Sequence, residues 1–102
     1  MFDVRFMPNP YYIQELREKT GLDREVSDYV FSFQQTHDYM AKLRDLLAFT
    51  LPLYAEEGKT ELVIAVGCTG GHHRSVAVTH ALARDIRDLG YRVRENHRDM
   101  NR

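Results

Sequence analysis

At 102 residues, with 43% hydrophobic and 28% charged side chains, the chain has the composition of one globular domain with a modest core of its own. Its single cysteine excludes an internal disulfide framework and suits a reducing compartment. No apolar run approaches membrane-spanning length and no signal peptide opens the chain, so a cytoplasmic protein with no membrane partner is expected.

The net charge of -1 hides an asymmetry. Residues 1–71 hold seven Lys/Arg against eleven Asp/Glu, whereas residues 72–102 hold seven Arg, no Lys and four acids. Four of the five histidines also fall in that last third. Arginine favours bidentate phosphate contacts, so this end of the chain points to an anionic partner.

In chain order, residues 2–6 alternate as a strand, and their abrupt start reads as a cut from a longer protein. Met7-Pro8-Asn9-Pro10 ends that strand, because each proline lacks a ladder donor and restricts the residue before it. A short helical stretch over 13–19 is expected to stop at the glycine of Thr20-Gly21-Leu22-Asp23. Residues 25–33 read as a second helix with Val26, Tyr29, Val30 and Phe33 on one side. Thr36 is expected to cap a longer helix whose apolar stripe is Met40, Leu43, Leu47, Leu51 and Tyr54, with Pro52 as a kink or end and Gly58 as the terminator.

Residues 62–66 form an unbroken, β-branched apolar run that suits a strand buried on both faces. The glycine-rich stretch Gly67-Cys68-Thr69-Gly70-Gly71-His72-His73-Arg74-Ser75 follows. A helix with Val78, Leu82, Ile86 and Leu89 on one stripe comes next and ends at Gly90. Residues 91–94 alternate as a last short strand. Three strands separated by helices predict an α/β domain, a small, mostly parallel sheet flanked by α-helices.

Strand, glycine-rich loop and helix together aim backbone N–H groups and the positive helix end at one spot, which reads as an anion site in preference to a plain strand-to-helix turn with polar caps. Arg74 adds a planar fork, and Thr69 and Ser75 add hydroxyls. Parallel strands would bring Arg5, Asn9, His73, Arg74, His97 and Arg98 to one sheet edge, where open α/β sheets bind ligands. The loop is not a nucleotide-hydrolysing P-loop, since Arg74 stands where Lys is required and the glycine spacing differs. Cys68, five residues, then Arg74-Ser75 does match the spacing of cysteine-dependent phosphatases, with Cys68 as nucleophile and Arg74 as clamp. Gly67 stands where such enzymes often carry His, and no Asp is identifiable as general acid, so a non-catalytic domain is the main reading.

His73 reads as a base, a phosphate donor or a structural histidine, and His72 as an exposed residue. Adjacent histidines seldom share one ion, so neither a metal at His72, His73 and His97 nor a cofactor is expected. His80, Arg84 and Arg87 on one helical face, with Arg92 and Arg94 on one side of the last strand and Arg5 beyond, read either as a phosphate-tracking RNA surface or as a solvated face.

Asp3-Val4-Arg5-Phe6-Met7-Pro8-Asn9-Pro10, Thr20-Gly21-Leu22-Asp23, Gly67-Cys68-Thr69-Gly70-Gly71 with His73-Arg74-Ser75, and His97-Arg98 resemble the RapZ/YvcJ family, in order and across essentially the whole chain. The resemblance is to that family's C-terminal domain. It implies an N-terminal Walker-type domain elsewhere in the full protein, to which ATP or GTP binding and hydrolysis belong, and it implies homo-oligomers or strand exchange. It also implies an RNA partner, a phosphorylated metabolite such as glucosamine-6-phosphate, or both. The ligand set implied is Asn9, Thr69, Gly70, Gly71, His73, Arg74, Ser75, His97 and Arg98. Tyr11, where the RNA-adapter branch tends to have His, His72 in place of a common Lys or Gln, and the acidic first two-thirds make the chain more similar to the YvcJ branch.

Overall fold

A computed structural model describes residues 1–58, 61–67 and 73–97 of the chain. Strand β1 (Phe2–Asp3) is followed by two single 3-10 turns, at Pro10–Tyr12 and Gln14–Leu16. Helices α1 (Arg24–Phe31) and α2 (Gln34–Glu56), strand β2 (Val66–Gly67) and helix α3 (Arg74–Asp88) then complete the order. β1 and β2 pair in parallel, Phe2 opposite Val66 and Asp3 opposite Gly67. The α/β class and the parallel pairing are as expected, but the sheet is smaller.

The expected strand over 62–66 narrows to a two-residue ladder. The Phe2 N–H donates to the Ala65 carbonyl at 2.7 Å, the ladder takes in only Val66 and Gly67 of this stretch, and Val63 stays 80% exposed. Residues 91–97 keep their alternation, with Arg92, Arg94 and Asn96 exposed, but they form no ladder among the described residues. Of the expected helix over 13–19 only a single 3-10 turn, Gln14–Leu16, forms, preceded by the turn Pro10–Tyr12 that Asn9 caps by accepting from the Tyr11 N–H at 3.1 Å.

The core forms where α3 crosses the other elements. Val78, Leu82 and Ile86 from the expected α3 stripe pack with Met40, Leu43 and Leu47 of α2, Val30 of α1, and Val4 and Met7 after β1. Leu89, Phe33 and Tyr54, expected on apolar stripes, are instead 42%, 38% and 42% exposed. Each lies near or beyond the end of its helix, where the packed face has run out.

Gly58 and Gly90 do end their helices, with φ of +81° and +98°, the left-handed backbone that favours glycine. Two expectations about α2 need correction. Thr36 does not cap it: Phe33 is the N-cap, and Thr36 lies inside the first turns, fully buried. Pro52 does not end it, and the helix continues to Glu56. Ala48, whose carbonyl loses its helical donor at Pro52, is exposed, so water can take that donor's place.

Candidate anion site at the start of helix α3

The site is assembled around the first turn of α3, where His73, Arg74 and Ser75 are only 7%, 4% and 7% exposed. A polar run this deeply buried needs partners, and the structure supplies main-chain ones. Arg74 Nη1 donates to the carbonyl of Arg5, and to that of Met7 at 3.1 Å. This ties the turn after β1 to the head of α3. The Arg74 Nε–H is buried and has no partner among the described residues. His73 Nε2 lies 3.2 Å from the Arg17 carbonyl, fastening the 3-10 segment to the same helix end.

Gly21 completes the seat, for a reason the sequence reading missed. Its φ is not in the left-handed region, so it is no glycine stop. A Cβ at this position would stand 2.3 Å from Ala77 N and 2.4 Å from the His73 carbonyl oxygen. Those two atoms form the opening hydrogen bond of α3, at 3.0 Å. The Thr20-Gly21-Leu22-Asp23 motif is the turn that holds this approach. Asp23 Oδ2 accepts from Thr20 N–H at 2.8 Å, and Thr20 Oγ1 accepts from Leu22 N–H at 3.2 Å.

Beside this helix end lies an open groove of 1470 Å³ between residues 61–67 and 91–97, shared by Gly67, Ser75 and His97. His97 is held at its edge by Glu95, Nε2 to Oε2 at 2.6 Å, and the same oxygen takes His80 Nδ1 at 2.9 Å. Burial pushes the Glu95 carboxyl upward, but hydrogen bonds to His80 and His97 and the charge of both rings outweigh it and hold the pKa below the ordinary 4.5. Glu95 was not singled out in the sequence. Its place on the buried side of the 91–97 alternation was the available signal.

The lowered carboxyl gives a signed expectation. A depressed folded-state pKa adds stability that is fully present above the unfolded value and is lost as pH falls through the folded value. The Glu95 share is therefore complete above about pH 4.5 and disappears on further acidification. Glu95→Gln should flatten this acid limb in urea-unfolding midpoints measured against pH. An unchanged acid limb would show that the carboxylate contributes nothing to it.

The remaining expected site residues separate. Asn9 caps its 3-10 turn and does not line the groove. Arg5 makes an exposed pair with Asp3, Nη2 to Oδ2 at 2.8 Å, and their hydrogen bonding lowers the Asp3 pKa and raises that of Arg5. Arg84, Arg92 and Arg94 are exposed, whereas Arg87 Nη2 donates to the Val93 carbonyl at 3.1 Å. His80 is exposed but engaged by Glu95. Cys68, Thr69, Gly70, Gly71, His72 and Arg98 lie outside the described residues. Among the described residues, no group of His, Cys, Asp or Glu is arranged to hold a metal ion, and no helix is long and apolar enough to cross a membrane.

Comparison with known proteins fits this arrangement of motifs. Residues 1–101 match the family model described as the RapZ C-terminal domain. A nucleotide-binding protein of Geobacillus thermodenitrificans is 57% identical over 102 residues, covering 100% of this chain and 34% of the relative. One from Clostridioides difficile is 56% identical over 99 residues, covering 97% and 35%. Another, from Clostridium novyi, is 50% identical over 101 residues, covering 99% and 34%. The chain thus spans about a third of the length of the curated relatives it matches. With a match over nearly its whole length and identities of one half or more, this chain belongs to the RapZ C-terminal domain family.

Proposed function

We propose that the chain is a non-catalytic anion-recognising domain that binds a phosphorylated ligand at the head of α3. The ligand is an amino-sugar phosphate such as glucosamine-6-phosphate, RNA phosphates, or both, within a larger nucleotide-binding protein. The carrying observation is the burial of His73, Arg74 and Ser75 in one helical turn beside the groove that Ser75 shares with His97. A buried donor turn at a helix N-terminus favours negative charge, and the Arg74 Nε–H, without a partner among the described residues, adds to that preference. The groove exceeds the roughly 300–1,000 Å³ typical of small-ligand sites, so a sugar phosphate would fill only the end nearest α3. Exposed Arg84, Arg92 and Arg94 extend a basic surface that an RNA backbone could follow.

A binding titration of the chain against glucosamine-6-phosphate, and separately against a structured RNA, tests this. Saturable sugar-phosphate binding weakened about ten-fold or more by His97→Gln, in line with loss of a charge-assisted hydrogen bond, identifies the small-ligand role. Salt-dependent RNA binding that loses slope in an Arg92→Gln/Arg94→Gln variant identifies the RNA role. Binding of neither ligand overturns the proposal for this chain.

A further inference from the structure

Glu95 stands between two imidazoles. The alternation of residues 91–97 leaves the side chains of Glu95 and His97 only 14% and 10% exposed, beside the more open His80 of α3. Oε2 of Glu95 lies 2.6 Å from His97 Nε2 and 2.9 Å from His80 Nδ1, and Oε1 lies 3.2 Å from the same His80 nitrogen. An ionised carboxylate only accepts, so each of these two ring nitrogens carries a proton there. The proton of a neutral His97 is thereby assigned to Nε2. Its Nδ1 has no partner among the described residues and is the nitrogen left for a ligand in the groove that His97 lines.

We propose that Glu95 is a positioning residue for anion binding: it fixes the His97 ring by Nε2 so that Nδ1 meets the ligand, and His80 holds Glu95 in place for that task. This rests on the reading of the groove as a phosphate site. A free imidazole exchanges its proton between two nitrogens and rotates about its side-chain bonds, and binding must remove both freedoms. A carboxylate on Nε2 removes them beforehand, as carboxylates do behind histidines that hold metals. A phosphate oxyanion offers acceptors, so it takes its hydrogen bond from Nδ1 of the doubly protonated ring, whose charge Glu95 balances from the far side. His80 belongs to α3, the helix whose first turn carries Arg74 and Ser75. The succession His80, Glu95, His97 therefore ties the 91–97 side of the groove to the element that bears the buried donors. A carboxylate that merely stapled 91–97 to α3 would affect stability without affecting how His97 meets a ligand.

NMR of isotope-labelled histidine rings in the 102-residue chain, titrated with glucosamine-6-phosphate as probe, tests the inference. In the free wild type, at a pH where the ring is neutral, the His97 proton should sit on Nε2, and the Nδ1 signal should move as the probe is added. This measurement needs no variant. Glu95→Ala should release the ring to a mixture of tautomers and weaken probe binding about ten-fold, the size of effect seen when the outer partner of a ligating histidine is removed. His80→Gln should weaken it less, because His97 keeps its acceptor. In a His97→Gln background, Glu95→Ala should change affinity by no more than about two-fold, since its effect passes through the ring. A free wild type with the proton on Nδ1, or a Glu95→Ala loss of equal size in both backgrounds, overturns the inference and leaves the anion site standing. A wild type that does not bind the probe overturns the reading of the groove, and this role for Glu95 with it.

Discussion

Gly21→Ala should lower the stability of the chain by about 3 kcal/mol or more, a large value for one added methyl group. The reason is which atoms the methyl would meet. All three near neighbours, Ala77 N at 2.3 Å, the His73 oxygen at 2.4 Å and Val76 C at 2.9 Å, are backbone atoms of the opening turn of α3. A side chain can swing aside, but a helix end moves only with everything fastened to it. Here that includes the Arg74 contacts to the Arg5 and Met7 carbonyls and the His73 contact to the Arg17 carbonyl. Anion affinity should therefore fall together with stability. Gly58→Ala is the control, because Gly58 has φ of +81° and nothing among the described residues within 4 Å of its Cβ position. It should cost only the torsional penalty of about 1–2 kcal/mol. Urea-unfolding midpoints of both variants would decide the matter, and equal losses would contradict the close-approach account.

Arg74→Ala should cost about 2–4 kcal/mol, from the loss of charge-assisted hydrogen bonds and from buried carbonyls left without a donor. Arg74 is only 4% exposed, and Nη1 serves two carbonyls on the segment after β1. Arg74→Lys should recover little, since an ammonium on a flexible stem cannot reproduce a planar fork. An arginine used solely as a surface clamp for phosphate would behave differently: its removal would abolish binding and leave the unfolding midpoint in place. Denaturant unfolding and anion titration of both variants, measured together, separate the two roles.

These expectations show where the sequence was legible. Helical periodicity identified α3 and its core stripe, as well as the buried Met40, Leu43 and Leu47 of α2, because a repeat near 3.6 reports a packed face directly. Gly58 and Gly90 were legible as helix ends because a left-handed backbone position selects for glycine locally. The strands were less legible. An apolar run indicates that a segment can be buried, whereas a strand also requires a neighbour in register, and β1 reaches only Val66 and Gly67.

The site divides along the same line. Residue types and spacing were enough to mark the turn of His73, Arg74 and Ser75 at a helix start as donor-rich. Tertiary structure decided that Arg74 holds the β1 turn, that Gly21 seats the helix and that Glu95 binds two histidines. Each of these is a contact between residues far apart in the chain or on separate elements, and local periodicity carries no information about such meetings. What the sequence determined by itself was the three α-helices, the glycine ends of α2 and α3, and the family. What only the fold decided was which polar groups face one another, because that depends on how close two backbones come.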